Sequence, residues 1–197
     1  AMITASHNPW RDNGVKIFAA GGTKLPDAVE RAIEAVLDPA HIAEFVGHEV
    51  QAAHEVAGPA YVQHLMGLTD RLDGLTVVLD CANGAMSEVA PAAFRGLGAQ
   101  VTVIHDQPNG RNINDHCGAT HTESLSAAVV AAGASMGLAF DGDGDRVLAV
   151  DHLGHVVDGD RLIALAALLL REEGRRHHDT VVVTVMSNLG FHKAMAQ

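Results

Sequence analysis

The chain has 197 residues, 48% hydrophobic and 19% charged, a composition typical of a globular protein with a sizeable core. Its net charge of −11, from 13 basic and 24 acidic residues, argues against nucleic acid or an anionic membrane as a partner, because both favour clustered lysine and arginine. The longest apolar run, 162–170, is too short to span a bilayer. Cys81 and Cys117 are too few for a disulfide framework and favour a reducing cytoplasm.

The first informative segment follows a short strand predicted over 2–4 and displays a serine. The proline three residues after Ser6 stops regular structure, so Ser6 is expected at a loop tip with His7 beside it. Arg11 and Lys16 place two cations within reach, as a phosphate on Ser6 would require together with a metal. A hydrogen-bonded turn is the alternative interpretation, and no Gly-x-Ser-x-Gly elbow indicates a hydrolase triad.

The middle of the chain indicates an α/β fold. Apolar spacing predicts a helix over 27–37, and the mixed polar residues 40–58 are typical of a connection between domains. A strand–helix–strand unit over 75–104 predicts a parallel sheet. The elements expected in order are a helix over 61–68, a strand over 75–80, a helix over 86–94, a strand over 101–104, a helix over 125–132 and a strand over 136–140.

Three aspartates separated by single glycines follow that last strand: Asp141, Asp143 and Asp145, with Arg146 next. In an extended loop, side chains two residues apart project to one side, so the three carboxylates are expected to converge. A cation stabilises like charges this close, and hard oxygen ligands favour Mg²⁺. Apolar strands on both sides of the loop argue against a solvated acidic turn, which is the alternative. We therefore predict a magnesium site here.

Other acidic loops and metals fit the spacing less well. An EF-hand beginning at Asp141 would need glycine at its sixth position and glutamate at its twelfth, where Arg146 and His152 stand. A phosphatase with an aspartyl nucleophile normally has threonine or valine where Asp145 stands, so it is only weakly indicated. The 13 histidines show no zinc-binding spacing.

The C-terminal part continues the α/β alternation. Strands are predicted over 147–151 and 155–157, followed by a buried helix over 160–173 and a buried strand of β-branched residues over 180–185. The last residues, 191–197, are typical of the middle of a helix, and the first predicted strand starts at residue 2 with no loop before it. We therefore expect the chain to be a fragment of a longer polypeptide, cut at both ends.

Two motifs in this order resemble the α-D-phosphohexomutase superfamily: Thr-Ala-Ser-His-Asn-Pro followed by Asp-Asn-Gly-Val-Lys within 4–16, and Asp-Gly-Asp-Gly-Asp-Arg at 141–146. The resemblance covers the whole chain, but under half of the family's four-domain length. The segment 112–121 resembles the signature loop of the bacterial branch that acts on glucosamine phosphates. Thr4 and Ala119 depart from that branch, which more often has serine at both positions.

The resemblance implies a phosphohexomutase-type multi-domain α/β fold with mixed and parallel sheets flanked by helices. It divides the chain into the C-terminal part of domain 1 with the serine loop (1–56), domain 2 with the metal loop (57–155) and the start of domain 3 (156–197). By the same resemblance, this chain is expected to lack the family's opening segment, the sugar-binding loop of domain 3 and the phosphate-binding loop of domain 4. The isolated chain is therefore expected to bind Mg²⁺ weakly and to have little or no activity.

The implied activity interconverts glucosamine 6-phosphate and glucosamine 1-phosphate, in cell-wall amino-sugar synthesis. Ser6 would be carried as phosphoserine and would donate its phosphoryl group to the sugar, giving a hexosamine 1,6-bisphosphate that also acts as activator. The resemblance assigns Mg²⁺ to Asp141, Asp143, Asp145 and the phosphate on Ser6. In-line phosphoryl transfer of this kind depends mostly on positioning and charge stabilisation.

Further roles follow from the same resemblance. Arg146 would steady the phosphate or the metal loop. Lys16 would be the general acid/base for the sugar hydroxyl, with His7 as the competitor. Arg11 and His121 are expected to contact the substrate, although a capping or packing role is the alternative for His121.

Three competing functions stay open at this point. A mutase acting on glucose or mannose phosphates would use the same chemistry, and the loop 112–121 favours the amino sugar. A metal-dependent phosphatase would leave the serine loop without a role. A non-catalytic binding protein would agree with the absent domains. The expected partner is a phosphosugar substrate rather than nucleic acid or membrane, in a cytoplasmic protein that could form a homodimer at full length.

Overall fold

A computed structural model describes residues 1–37 and 58–195, so the predicted connection 40–58 lies outside the described residues except for its last position. Within these ranges, every helix falls short of the length and apolar content that crossing a bilayer requires. The helices are α1 (Asp27–Glu34), α2 (Gly58–Met66), α3 (Met86–Gly96), α4 (Glu123–Ala132), α5 (Gly159–Glu172) and α6 (Leu189–Met195). The strands are β1 (Met2–Thr4), β2 (Gly14–Lys16), β3 (Thr76–Asp80), β4 (Gln100–Ile104), β5 (Met136–Phe140), β6 (Val147–Asp151) and β7 (Val156–Val157).

The serine loop lies on a small antiparallel ribbon formed by β1 and β2. The register places Lys16 opposite Met2 and Gly14 opposite Thr4. Opposite residues share a face of the ribbon, and so do residues two apart on one strand. Thr4 and Lys16 therefore project to the same side, and both reach the acidic loop.

A five-stranded mixed sheet forms the body of the described chain, in the order β4-β3-β5-β6-β7. Strand β3 runs parallel to both β4 and β5, whereas β5–β6 and β6–β7 pair antiparallel. Helix α3 connects β3 to β4, and α4 precedes β5. The predicted parallel unit and the α/β class with a mixed sheet flanked by helices are confirmed.

The central strand β3 is buried on both faces, as a parallel strand covered by helices is expected to be. Val78 packs with Leu125 and Val129 of α4 on one face. Val77 and Leu79 pack on the other face, against α3. Burial of each such side chain stabilises the fold by about 1.5–3 kcal/mol relative to exposure. The core therefore holds β3 and β5 rigidly at the point where the acidic loop begins.

The carboxyl ends of β3 and β5 lie at the same edge of the sheet, because the two strands are parallel. Asp80 ends β3, and its fully buried carboxylate accepts hydrogen bonds from Ala82 N (3.0 Å) and Gly118 N (2.9 Å). The same side chain thus holds the loop after β3 and the loop before α4. Asp141 begins the acidic loop beside them, directly after β5.

Two predictions for the C-terminal part are wrong. Residues 180–185 do not form a buried strand, and Val182 and Val185 are 90% and 98% exposed. Strand preference depends on a neighbouring strand to complete the hydrogen bonds, and none pairs with this segment within the described residues. Helix α5 forms as predicted, but Ala167 is its one buried residue, and Leu165 and Leu169 are exposed.

The two cysteines are free, buried thiols. Burial raises the pKa of both Cys81 and Cys117 to about 12. Since the thiolate is the reactive species, we expect both thiols in the native chain to react with an aromatic disulfide reagent at pH 8 at least about 10²-fold more slowly than in denaturant. The denatured chain is the control, and rapid reaction of both native thiols would contradict the buried placement.

Candidate active site

The serine loop and the acidic loop meet through a contact that only glycine permits. A Cβ on Gly142 would lie 2.4 Å from the carbonyl oxygen of Ser6, closer than atoms can approach. A Cβ on Gly84 would likewise lie 2.3 Å from the carbonyl oxygen of Gly142, which accepts a hydrogen bond from Ala85 N at 2.9 Å. Gly142 of the acidic loop and Gly84 of the loop after β3 thus allow three loops to stack at the sheet edge.

The three aspartates converge as the sequence predicts. Oxygens of Asp141, Asp143 and Asp145 all lie within 4.8 Å of one another, and the side chains range from buried (Asp141) to largely exposed (Asp145). Asp143 Oδ1 is buried and has no hydrogen-bond partner in the described part of the chain. An unpaired buried carboxylate oxygen is costly, and a cation would offset that cost. The all-oxygen donor set and the unpaired oxygen both fit Mg²⁺.

The other oxygen of Asp143 faces the ribbon. Lys16 Nζ and Thr4 Oγ1 each donate a hydrogen bond to Asp143 Oδ2, both at 3.2 Å. Burial alone would raise the pKa of Asp143, but these two hydrogen bonds, the charge of Lys16 and a smaller contribution from Asp141 together hold the pKa below its ordinary value. The ribbon therefore keeps this carboxylate ionised.

Arg146 connects the acidic loop to the serine. Its backbone N donates to Asp141 Oδ1 and its Nε donates to Asp141 Oδ2, both at 3.1 Å. Its Nη2 donates to Ser6 Oγ at 3.2 Å and also to His7 Nδ1. Burial raises the pKa of Asp141, with the hydrogen bond from the Arg146 backbone opposing the increase. One guanidinium thus braces the most buried aspartate and the candidate nucleophile together.

Ser6 itself has a left-handed backbone, with φ of 51°. Its N donates to Thr4 Oγ1 at 2.8 Å, and Asn8 N donates to Ala5 O at 2.8 Å, which closes the turn. A non-glycine residue in this region is uncommon and is held there by its surroundings. Ser6 Oγ lies 3.5 Å from His7 Nδ1, so His7 lies beside the candidate nucleophile.

The remaining predicted residues lie apart from this cluster. Arg11 is exposed in the short 3₁₀ helix Trp10–Asp12 and makes no hydrogen bond to the cluster within the described residues. His121 follows the 3₁₀ helix Gly118–Thr120, where its ring contacts Thr120 Oγ1 at 3.1 Å and packs edge-on against His116. The structure thus brings together seven of the nine predicted residues: Ser6, His7, Lys16, Arg146, Asp141, Asp143 and Asp145.

Two side chains at the site were not predicted to have a role there. Thr4 joins Ser6 N to Asp143, and Asn114 Nδ2 donates to the carbonyl oxygens of both Ser6 and Asn8 at 2.8 Å. Asn114 lies more than 100 residues from Ser6 in sequence, so local pattern carries no sign of the contact. Its place in the segment 112–121, which resembles a functional loop, is the one signal that could have drawn attention to it.

A second group of possible metal ligands, Asp80, His105 and Cys117, lies below the loops. Both Asp80 oxygens already accept backbone hydrogen bonds. His105 Nδ1 lies 3.1 Å from Asp80 Oδ2 without hydrogen-bond geometry, and Cys117 Sγ accepts a weak contact from Asn83 at 3.8 Å. This group is better explained as the anchor of the two loops than as a metal site.

Comparison with known proteins agrees with this geometry. Models of phosphoglucomutase/phosphomannomutase α/β/α domains I and II match residues 1–41 and 59–154. The chain is 52% identical over its whole length to a phosphoglucosamine mutase of Corynebacterium diphtheriae, and 54% identical over 98% of its length to one of Mycolicibacterium paratuberculosis. It spans 45% and 44% of the length of these two curated relatives.

A solved structure shares the fold. A phosphoglucomutase/phosphomannomutase family protein from Burkholderia thailandensis superposes with a TM-score of 0.67 at 27% identity, over 87% of this chain and 37% of that one. Both matched domains occur here in family order, and the serine and aspartate motifs meet in one site. The chain belongs to the phosphoglucomutase/phosphomannomutase family of α-D-phosphohexomutases.

Proposed function

We propose that a polypeptide containing this chain is a phosphoglucosamine mutase, which interconverts glucosamine 6-phosphate and glucosamine 1-phosphate. The observation that carries the proposal is the convergence of Ser6, Lys16 and Arg146 on three clustered carboxylates. The identity of 52–54% to curated phosphoglucosamine mutases supports the amino sugar as substrate. Because the chain spans under half of those relatives, the activity is proposed for a polypeptide of their length.

The chemistry is two successive in-line phosphoryl transfers. In the first, the bond between Ser6 Oγ and phosphorus breaks while a sugar hydroxyl oxygen bonds to that phosphorus, and the hydroxyl proton passes to a base. In the second, the other phosphate of the bisphosphate moves to Ser6 Oγ, and the proton returns to the oxygen that the sugar keeps. Arg146 Nη2, 3.2 Å from Ser6 Oγ, would stabilise the charge that develops on this oxygen.

The proposed cofactors are Mg²⁺, phosphoserine at Ser6 and a hexosamine 1,6-bisphosphate as activator. Asp141, Asp143 and Asp145 would hold the Mg²⁺, together with an oxygen of the Ser6 phosphate. When bound, the ion supplies positive charge that neutralises phosphate oxygens during transfer. The unpaired Oδ1 of Asp143 is the structural support for this assignment.

Lys16 and His7 are the two candidates for the base. Lys16 Nζ is held at 3.2 Å from Asp143 Oδ2 and is half exposed, so it can turn towards a sugar hydroxyl. A guanidinium only donates, so His7 Nδ1 is the acceptor in its contact with Arg146 Nη2. A ring whose accepting nitrogen is engaged is a poorer base, and we therefore propose Lys16, which would accept the hydroxyl proton as a neutral amine and return it as an ammonium in the second transfer.

Location, assembly and domain limits belong to the same proposal. A cytoplasmic enzyme that feeds cell-wall precursor synthesis agrees with two free thiols. A homodimer is proposed for the full-length protein. In the proposed division into 1–56, 57–155 and 156–197, the family matches to 1–41 and 59–154 support the first two parts. Arg11 and His121 would contact the substrate if the remaining domains bring it to them.

The first test compares kcat/KM for glucosamine, glucose and mannose 6-phosphates, with Mg²⁺ and a trace of bisphosphate, in a polypeptide of the relatives' length. We expect a preference of at least about 10-fold for glucosamine 6-phosphate, since a site that pairs with a polar group rejects analogues that lack it. A preference for glucose or mannose phosphate would leave the chemistry in place and show the substrate assignment to be wrong.

Substitution at the nucleophile and its arginine should give different losses. Ser6→Ala removes the phosphate acceptor and should reduce turnover to background, whereas Arg146→Ala should lower kcat about 10²-fold while leaving Ser6 able to carry phosphate. Mass spectrometry of phosphoserine measures the second point. Arg71→Ala is the matched control, because Arg71 pairs with Asp73 in an exposed ion pair away from the site. Turnover retained by Ser6→Ala would exclude the mechanism.

The choice of base has its own test. Lys16→Met should lower kcat by about 10²–10⁴-fold, and His7→Gln by less than about 10-fold, because general acid–base catalysis contributes on that scale. Lys24→Met is the matched lysine control, since Lys24 pairs with Asp27 and Glu30 on the surface. If His7→Gln shows the larger loss, the two roles are reversed.

A further inference from the structure

We infer that Asn114 is a positioning residue for the Ser6 nucleophile, acting through the backbone of the serine loop. This inference rests on the proposed function. Asn114 does not touch the hydroxyl of Ser6. Its side-chain amide instead holds the carbonyl oxygens of Ser6 and Asn8, so the loop that carries the nucleophile is tied to the loop before α4.

Both hydrogens of the Asn114 amide are donated to the serine loop. Nδ2 donates to Ser6 O and to Asn8 O, each at 2.8 Å, and an asparagine amide has two hydrogens to give. The side chain is buried, with 7% of its surface exposed, so water competes poorly for these bonds. The Ser6 carbonyl also lies against Gly142 of the acidic loop.

Asn114 is itself held in place. Its N donates to Ala82 O at 2.9 Å, which fixes it to the loop after β3. Its backbone is left-handed, with φ of 56°, a conformation that asparagine tolerates better than most residues. A Cβ on Gly142 would lie 2.7 Å from Asn114 Nδ2 and 2.4 Å from Ser6 O. The amide, the Ser6 carbonyl and Gly142 thus fill one tightly packed contact.

This geometry bears on the reaction because phosphoryl transfer depends on position. Arg146 and Thr4 act on the hydroxyl and the N of Ser6, while Asn114 holds its carbonyl. Without the amide, the serine loop loses the hydrogen bonds to its carbonyl oxygens. Ser6 Oγ can then move away from Arg146 and the three carboxylates. A misplacement of about 1 Å can cost about 10²-fold in rate.

The test uses two substitutions in a polypeptide of the relatives' length. Asn114→Gly removes the amide but suits a left-handed backbone, so the loop fold is retained. Asn114→Asp keeps the shape and replaces the donor by an acceptor that faces two carbonyl oxygens. Asn109→Asp is the control for added charge, because its Oδ1 accepts from Arg111 N and an aspartate keeps that bond.

We expect both Asn114 variants to lower kcat for glucosamine phosphate by about 10–10²-fold, with KM within about 2-fold and, for Asn114→Gly, a thermal midpoint lowered by no more than about 4 °C. Amide hydrogen exchange in the peptide containing Ser6 should become faster, while the Asn109→Asp protein matches the unaltered one. Unchanged kcat in both Asn114 variants would overturn the inference. A lower kcat accompanied by a raised KM and a strongly lowered thermal midpoint would also overturn it, because that combination indicates general loss of structure.

The same experiment distinguishes failure of the proposed function from failure of the positioning role of Asn114. If the unaltered protein does not turn over sugar phosphates, the proposed function fails, and hydrogen exchange alone decides the inference. Faster exchange at the serine loop in Asn114→Gly then supports the inference that Asn114 holds this loop, and unchanged exchange overturns it.

Discussion

Repulsion among Asp141, Asp143 and Asp145 is the constraint around which the site is organised. Three carboxylates within 4.8 Å of one another are unfavourable unless positive charge or hydrogen-bond donors surround them. Arg146 donates a hydrogen bond to Asp141, and Lys16 and Thr4 each donate one to Asp143. Burial still raises the pKa of Asp141, while the donors lower that of Asp143. The protein groups therefore offset the negative charge of the three carboxylates only in part, and the cluster remains suited to binding a cation.

The same donors also assemble the site from separate parts of the chain. Lys16 and Thr4 come from the ribbon, and the aspartates come from the β5–β6 loop of the main sheet. The contacts of Lys16 and Thr4 with Asp143 thus also hold the ribbon that carries the serine loop at the sheet edge. Gly142 makes the approach sterically possible, because its lack of a side chain leaves room for the Ser6 carbonyl. Electrostatics and close packing favour the same arrangement.

Sequence could predict the parts of this site that local pattern determines. Alternating aspartates after an apolar strand indicate converging carboxylates, and the serine motif indicates an exposed loop tip. The contact of Asn114 with Ser6 depends on two loops meeting in space, which no local spacing encodes. The error at 180–185 has a related cause, since a β-branched run forms a strand only where another strand pairs with it. Periodicity likewise gave the limits of α5 but not what covers its apolar face.

The two oxygens of Asp143 have different surroundings. Oδ2 accepts from Lys16 and Thr4, whereas Oδ1 is buried without a partner in the described residues. The carboxylate is thus directional, with one oxygen assigned to the ribbon and one to a cation. Asparagine, the usual isosteric replacement, is therefore a poor mimic here. Its NH₂ would face either the ammonium of Lys16 or the cation, and each orientation sets donor against positive charge.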